Sequence, residues 1–133
     1  MADSDSAGGC LCGAIRYRLT APLARIHLCH CRTCQKATGS AFSSCGAVPK
    51  DAFVLTRGTL KEYRSSAPVR RGFCAACGTP LTFRHEDHDT IGIALGSLDR
   101  PELLALEYHT GIESRLPWLH FDDGLPERET PAG

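Results

Sequence analysis

The chain has 133 residues and a mass of 14.4 kDa, and its 15 Lys plus Arg balance 15 Asp plus Glu for a formal net charge of zero. That length supports one hydrophobic core and leaves no room for a second domain. Balanced charge, with no stripe of one sign, argues against nucleic acid or an anionic membrane surface as the main partner.

Residues 1–8 are small, polar and acidic and are expected to be a flexible N-terminus ahead of one domain over 9–126. They hold neither the basic nor the apolar segment of a signal peptide, so a cytoplasmic location with reduced or metal-bound thiols is expected. Thirteen Gly and eight Pro then cut the chain into pieces of strand length rather than helix length. Ile15, Tyr17 and Leu19 alternate with Arg16 and Arg18, the period of a half-buried strand. One short helix is expected over 33–38, following Cys31 and stopped by Gly39, which can take a left-handed C-terminal cap. Further short strands are expected over 42–48, 53–56, 59–64, 69–74, 80–84, 90–95 and 104–109. The apolar stretch 91–98 is too short to cross a membrane and is broken by Gly92 and Gly96. The tail over 127–133 has little to bury and is expected to be flexible. The fold class is therefore mainly β: a single small domain of short strands and hairpins with one helix. Its core is modest, at 42% hydrophobic and 7% aromatic residues, so a crosslink is needed.

Eight cysteines answer that need. Seven fall into three groups: Cys10 and Cys12 as C-x-C, Cys29, Cys31 and Cys34 as C-x-C-x-x-C, and Cys74 and Cys77 as C-x-x-C. Thiolates so spaced reach one tetrahedral ion when the backbone turns tightly, and Gly13 and Gly78 follow their pairs to allow it. Zn²⁺ is the natural ion for all-sulfur sites. A closed structural site takes four ligands, so the two pairs form one four-cysteine zinc site that staples the N-terminal strand to a distant hairpin. The triplet is left with three ligands and one open position, the pattern of a catalytic zinc. Two other divisions stay open: the triplet can recruit Cys45 or His30 into a second closed site, or the groups can pair differently. With two zinc ions and seven thiolates the loaded chain carries a charge of about −3.

The runs Gly9-Cys10-Leu11-Cys12-Gly13, Cys29-His30-Cys31-Arg32-Thr33-Cys34-Gln35-Lys36-Ala37-Thr38-Gly39-Ser40-Ala41-Phe42 and Gly72-Phe73-Cys74-Ala75-Ala76-Cys77-Gly78-Thr79-Pro80-Leu81 strongly resemble the glutathione-dependent formaldehyde-activating enzyme family. The domain of that family also occurs in centromere protein V. Gly96-Ser97-Leu98-Asp99, Trp118 and Asp122-Asp123-Gly124-Leu125-Pro126 extend the resemblance over residues 9–126. It implies a zinc-bridged, mainly β fold, structural zinc on the outer pairs and substrate-facing zinc on the triplet. The implied activity is that of a carbon–sulfur lyase, joining glutathione and formaldehyde as S-hydroxymethylglutathione. Segments 21–28 and 108–117 carry no such match.

The catalytic candidates are Cys29, Cys31, Cys34 and His30, with His30 or Ser40 moving the proton. For His30 the plainer role is a structural hydrogen-bond donor, because side chains of adjacent residues diverge. Arg32 and Lys36, one helical turn apart, suit either a ligand carboxylate or a solvated face. Trp118 and Phe42 suit a substrate cleft or the core, and Cys45 suits core packing. His85 and His88, among Glu86, Asp87 and Asp89, read as a polar hairpin loop with the wrong spacing for zinc. The partner expected is a small thiol such as glutathione, with no nucleic acid and no membrane; oligomeric state has no signal in the sequence. The alternative from another class is a zinc-stapled protein-interaction module with two structural metals.

Overall fold

The structure is a computed structural model that describes residues 6–131; residues 1–5 and 132–133, part of the expected loose ends, lie outside the described residues. The fold is mainly β, as expected. Its strands are β1 (Ala7–Gly9), β2 (Arg16–Leu19), β3 (Ala24–Cys29), β4 (Ser43–Pro49), β5 (Phe53–Arg57), β6 (Lys61–Ser66), β7 (Val69–Phe73), β8 (Pro80–His85), β9 (Thr90–Ala94) and β10 (Tyr108–Thr110). The helix α1 (Arg32–Thr38) lies between β3 and β4.

The strands form a three-stranded sheet, β1-β2-β5, and a seven-stranded sheet, β10-β3-β4-β9-β8-β7-β6. Neighbours are antiparallel except β10, which runs parallel to β3 at the edge. The alternation in β2 does what it predicts: Tyr17 and Leu19 are buried while Arg16 and Arg18 face outward. Tyr17 and Leu19 share a core with Ile26, Val48, Ile91 and Ile93 from the large sheet. The Tyr17 hydroxyl, 2.7 Å from Ser97 Oγ, keeps its polar end satisfied in that core.

Alternation also divides the large sheet into two faces. Ile26 and Leu28 of β3 and Gly46 and Val48 of β4 turn to the core, whereas His27, Cys29, Ser43, Cys45 and Ala47 turn away from it. The helix is short because both its ends are capped nearby. Cys31 Sγ accepts the Cys34 N–H at 3.4 Å, and Gly39 takes φ 67° and returns its N–H to Gln35 O at 2.8 Å.

Two strands depart from the expectations. β3 falls in a stretch for which no strand is expected, although Ile26 and Leu28 alternate with Arg25 and His27. Pro22 and the irregular register between Ala24 and His27 mask that period. The strand expected over 104–109 is confined to Tyr108–Thr110, because Pro101–Leu103 makes a 3-10 turn and Leu104 and Leu106 pack on the core instead. Residues at both expected loose ends carry hydrogen bonds. Ala7–Gly9 pairs with β2, and beside β10 Arg128 donates its N–H to His109 O at 2.9 Å and receives the Ile112 N–H on its own carbonyl at 3.0 Å. These bonds satisfy backbone groups that an open sheet edge leaves to water. No helix among the described residues is long and apolar enough to cross a membrane.

Candidate metal centres and the groove beside them

The β1–β2 turn carries Cys10 and Cys12, and the β7–β8 turn carries Cys74 and Cys77. Each turn closes through a carbonyl of its first cysteine: Gly13 N–H to Cys10 O at 3.2 Å and Gly78 N–H to Cys74 O at 2.7 Å. Both glycines take φ 82°, a conformation costly for any residue with a Cβ. The folded chain brings the four sulfurs within 4.8 Å of one another. Four sulfurs at ~2.3 Å from one ion stand about 3.8 Å apart at the tetrahedral angle. Cys10 Sγ lies 3.7 Å from Cys12 Sγ, and Cys12 Sγ 3.9 Å from Cys74 Sγ, so the set fits a tetrahedral ion. Hydrogen bonds support the ligands: Ile15 N–H reaches Cys10 Sγ at 3.2 Å, and the Thr79 hydroxyl holds Cys77 at 3.2 Å, pulling its thiol down to about 5.

The second cluster sits where β3 runs into α1. Cys29, Cys31 and Cys34 also bring their sulfurs within 4.8 Å of one another, with Cys29 and Cys31 at 3.4 Å. Cys34 accepts from Cys29 and Cys31 and is held far below the usual thiol range, while Cys29, bonded to Cys31 and then to Cys34, is pushed far above it. Three thiols this close fit a divalent cation, whose binding would release their protons. Arg71 of β7 adds a guanidinium whose Nη2 lies 3.8 Å from Cys34 Sγ. Arg71 is itself fixed by Ser65 Oγ at 3.1 Å and by the Phe83 ring, 4.9 Å from its Cζ. Nothing in the sequence marks Arg71 among the arginines of its strand.

His30, placed by chain geometry between two ligands, turns away from them and is fully buried. Its Nε2 lies 3.0 Å from His109 Nδ1, and His109 Nε2 lies 2.7 Å from Asp123 Oδ2. A carboxylate only accepts, so His109 donates through Nε2 and accepts at Nδ1 from the His30 N–H. This fixes both tautomers and leaves His30 Nδ1 as a buried lone pair with no protein partner. The rings of Phe42 and Phe121 enclose the pair. Gln35 Nε2 then ties His30 O, at 2.7 Å, to Ser114 O, at 3.0 Å, locking the ligand turn to the C-terminal segment. His109 and Asp123 are absent from the sequence-based candidates, because residues so far apart in sequence meet only through the parallel pairing of β10 with β3.

On the outward face of the large sheet a groove of about 340 Å³ begins at Cys29 and Cys34. Its floor is Ser43, Cys45 and Ala47 of β4 with Gly92 and Ala94 of β9, small residues on the two central strands. A Cβ on Gly92 would lie 2.7 Å from Cys45 Sγ and fill that floor. Larger side chains on the flanking strands make the walls: His27, stacked on Tyr108 with centroids 4.9 Å apart, and Phe83 with Arg71 opposite. Cys45, expected to pack in the core, instead faces away from it and floors the groove, and its desolvated thiol is pushed up to about 12. His85 and His88, whose rings stack at 4.0 Å, line the far end rather than an isolated loop.

The other candidates lie elsewhere. Arg32 and Lys36 are exposed on α1 and do not line the groove, which fits the solvated-face alternative. Ser40 and Phe42 line a more open cavity of about 670 Å³ beside Cys10, which adjoins the groove and shares Thr38, Ser43, Ser44, Pro80 and Ala94 with it. Trp118 is 68% exposed and neither packs in the core nor lines the groove.

A family model described as glutathione-dependent formaldehyde-activating enzyme matches residues 5–113. Relatives named for that family include a Podospora anserina protein, 36% identical over 63% of this chain and 42% of its own length. Another, from Penicillium rubens, is 37% identical over 65% of this chain and 50% of its own length. The chain thus matches about half the length of these curated relatives. A crystal structure of a Rhodobacter sphaeroides protein shares the fold, with a TM-score of 0.59 at 21% identity, covering 75% of this chain and 96% of that one.

Proposed function

The chain belongs to the glutathione-dependent formaldehyde-activating enzyme family, and on that premise we propose that it is a zinc-dependent carbon–sulfur lyase acting on a glutathione-type thiol adduct. In the synthetic direction a thiol sulfur bonds to the carbon of formaldehyde. The carbonyl π pair moves to oxygen and the thiol proton follows it, giving S-hydroxymethylglutathione. The lyase direction breaks the same carbon–sulfur bond.

One observation carries the reading: the two sulfur clusters differ in ligand count, and the three-sulfur cluster is the one that opens on the groove. Cys10, Cys12, Cys74 and Cys77 would hold a structural zinc, and Cys29, Cys31 and Cys34 a second. Bound at the triplet, zinc supplies the Lewis acidity that turns a substrate thiol of pKa ~8.5 into its nucleophilic thiolate near neutral pH. The chain's own residues do the rest. Arg71 and the three cysteines set the charge at the mouth of the groove, and the small floor residues leave space for the substrate. The hydroxyls of Thr38, Ser43 and Ser44 line that space and can pass the proton to solvent. His30, buried against His109, is assigned a positioning role for the ligand turn.

Metal analysis of the purified chain should give two zinc ions. Cys31→Ser should lose one with the fold retained, and Cys74→Ser should lose the other together with much of the stability. Exchange NMR on formaldehyde plus glutathione should show faster interconversion with the wild type than with Cys31→Ser. Equal unfolding of the two variants sinks the open-site reading, and no acceleration by the wild type discards this substrate pair.

A further inference from the structure

The groove has a charge pattern that the sulfur chemistry does not require. Among the described residues, two arginines and three histidines line it, and no acidic residue does. Arg71 stands at the sulfur end; Arg25, His27, His85 and His88 gather toward the other. Cys29 and Arg25 both line the groove and stand four residues apart on β3, at most about 13 Å at the rise of a strand.

The chain goes to some lengths to put Arg25 there. Arg25 takes φ 53°, the one non-glycine residue at positive φ among the described residues, within the register irregularity between Ala24 and His27. A left-handed conformation is costly for an arginine, whose Cβ crowds the following carbonyl. Strain of this kind persists where the surroundings impose it and concentrates at ligand-handling positions. The turn sends the guanidinium across the sheet to β9, where Nη2 donates to Thr90 Oγ1 at 3.2 Å. No carboxylate among the described residues pairs with Arg25. The neighbouring imidazoles also offer polar edges. His27 donates its Nδ1–H to Arg25 O at 2.6 Å, which leaves Nε2 free. His85 accepts the Asp87 N–H on Nδ1 at 3.2 Å, which places its proton on Nε2. The Arg25 guanidinium therefore holds one edge of a donor-lined pocket, and His85 with His88 holds the other.

We infer that this end of the groove is a carboxylate subsite, so that the groove takes an anionic thiol with its sulfur at Cys29, Cys31 and Cys34 and a carboxylate at Arg25, His85 and His88. The inference rests on the thiol-binding reading above and deepens it by naming the residues that select a thiol with a carboxylate several bonds from its sulfur. A guanidinium discriminates such a ligand because it meets a carboxylate with paired N–H donors. A neutral thiol of the same length would leave those donors unpaired.

The test titrates the zinc-loaded chain with glutathione and with glutathione diethyl ester, by calorimetry and by proton NMR. The variants are Arg25→Asn, in which asparagine tolerates the left-handed backbone while removing the charge, and His85→Gln. Arg25→Asn should weaken glutathione about tenfold or more, the value of a charged hydrogen bond, and leave the diethyl ester unchanged; His85→Gln should move both ligands in the same pattern more weakly. Equal losses for both ligands, or no loss for either, overturn the carboxylate subsite. The Cys31→Ser chain separates the two levels of the argument. If glutathione binds it as tightly as the wild type, with Arg25 still required, the subsite stands and the metal reading falls. If neither thiol binds the wild-type chain, both fall.

Discussion

His109 shows how one side chain sets the state of others. Its two nitrogens face a carboxylate and an imidazole, so both of its hydrogen-bonding roles and the tautomer of fully buried His30 are decided together. Replacing it by leucine strands the His30 Nε2–H without water or partner. His109→Leu should therefore cost about 1–3 kcal/mol, read as a lower thermal midpoint, and His109→Gln should recover part of it by restoring a polar partner. If His109→Leu melts with the wild type, the buried pair contributes no stability. Arg25 is the counterpart on the opposite face of the sheet: its backbone is strained and its side chain is exposed, an arrangement that stability alone does not select.

Among the elements, α1 is limited by its caps more than by its composition. Gly39 sits at φ 67° with open space around its missing Cβ, so Gly39→Ala should cost only the left-handed penalty, about 1 kcal/mol. Gly58 differs. It takes φ 75°, and an added Cβ would lie 2.3 Å from Ala14 O, on the turn that follows the first cysteine pair. Gly58→Ala should therefore lower the urea midpoint more than Gly39→Ala and disturb the Cys10 and Cys12 ligands. The reverse order would show that the loop around Ala14 yields freely. The strands divide the work in a similar way. β4 and β9 contribute small outward residues and apolar inward ones, so the same two strands make the core on one face and the groove floor on the other.

At the scale of the molecule, two paired arginine–carboxylate contacts cross between elements. Arg16 of β2 holds Asp99 at 2.9 and 2.6 Å, and Arg84 of β8 holds Glu62 of β6 at 2.8 and 2.8 Å, spanning β7. Each guanidinium, as the first cause, lowers its partner's carboxyl below the ordinary 3.8 of Asp and 4.5 of Glu. A depressed folded value means the unfolded chain binds protons first as pH falls. Stability from these pairs is thus complete above the ordinary values and lost as pH drops through the folded ones. Both pairs are partly exposed, so the effect is modest. The urea midpoint of the zinc-loaded chain should fall between about pH 6 and about pH 3, and Arg16→Gln with Arg84→Gln should fall less steeply. Zinc release adds to the acid loss, because thiolate ligands must be deprotonated. Measuring metal content at each pH separates the two contributions.

Strand lengths, the helix stop at Gly39 and the grouping of seven thiols into ligand sets are all readable along the chain, because alternation, turns and ligand spacing act over a few residues. The division into four and three followed from counting, and the fold brings each set together. β3 left a legible period in Ile26 and Leu28 that Pro22 and the irregular register obscured. What tertiary structure alone decided is the company each cluster keeps. The groove needs β3, β4, β9, β8 and β7 side by side in one register, so that Arg25, Arg71 and His85 share a face. His30 needs β10 parallel to β3 to meet His109, and the chain folding back to bring Asp123. Strand order and register arise from burying one continuous core, a property of the whole chain that no short window of sequence contains.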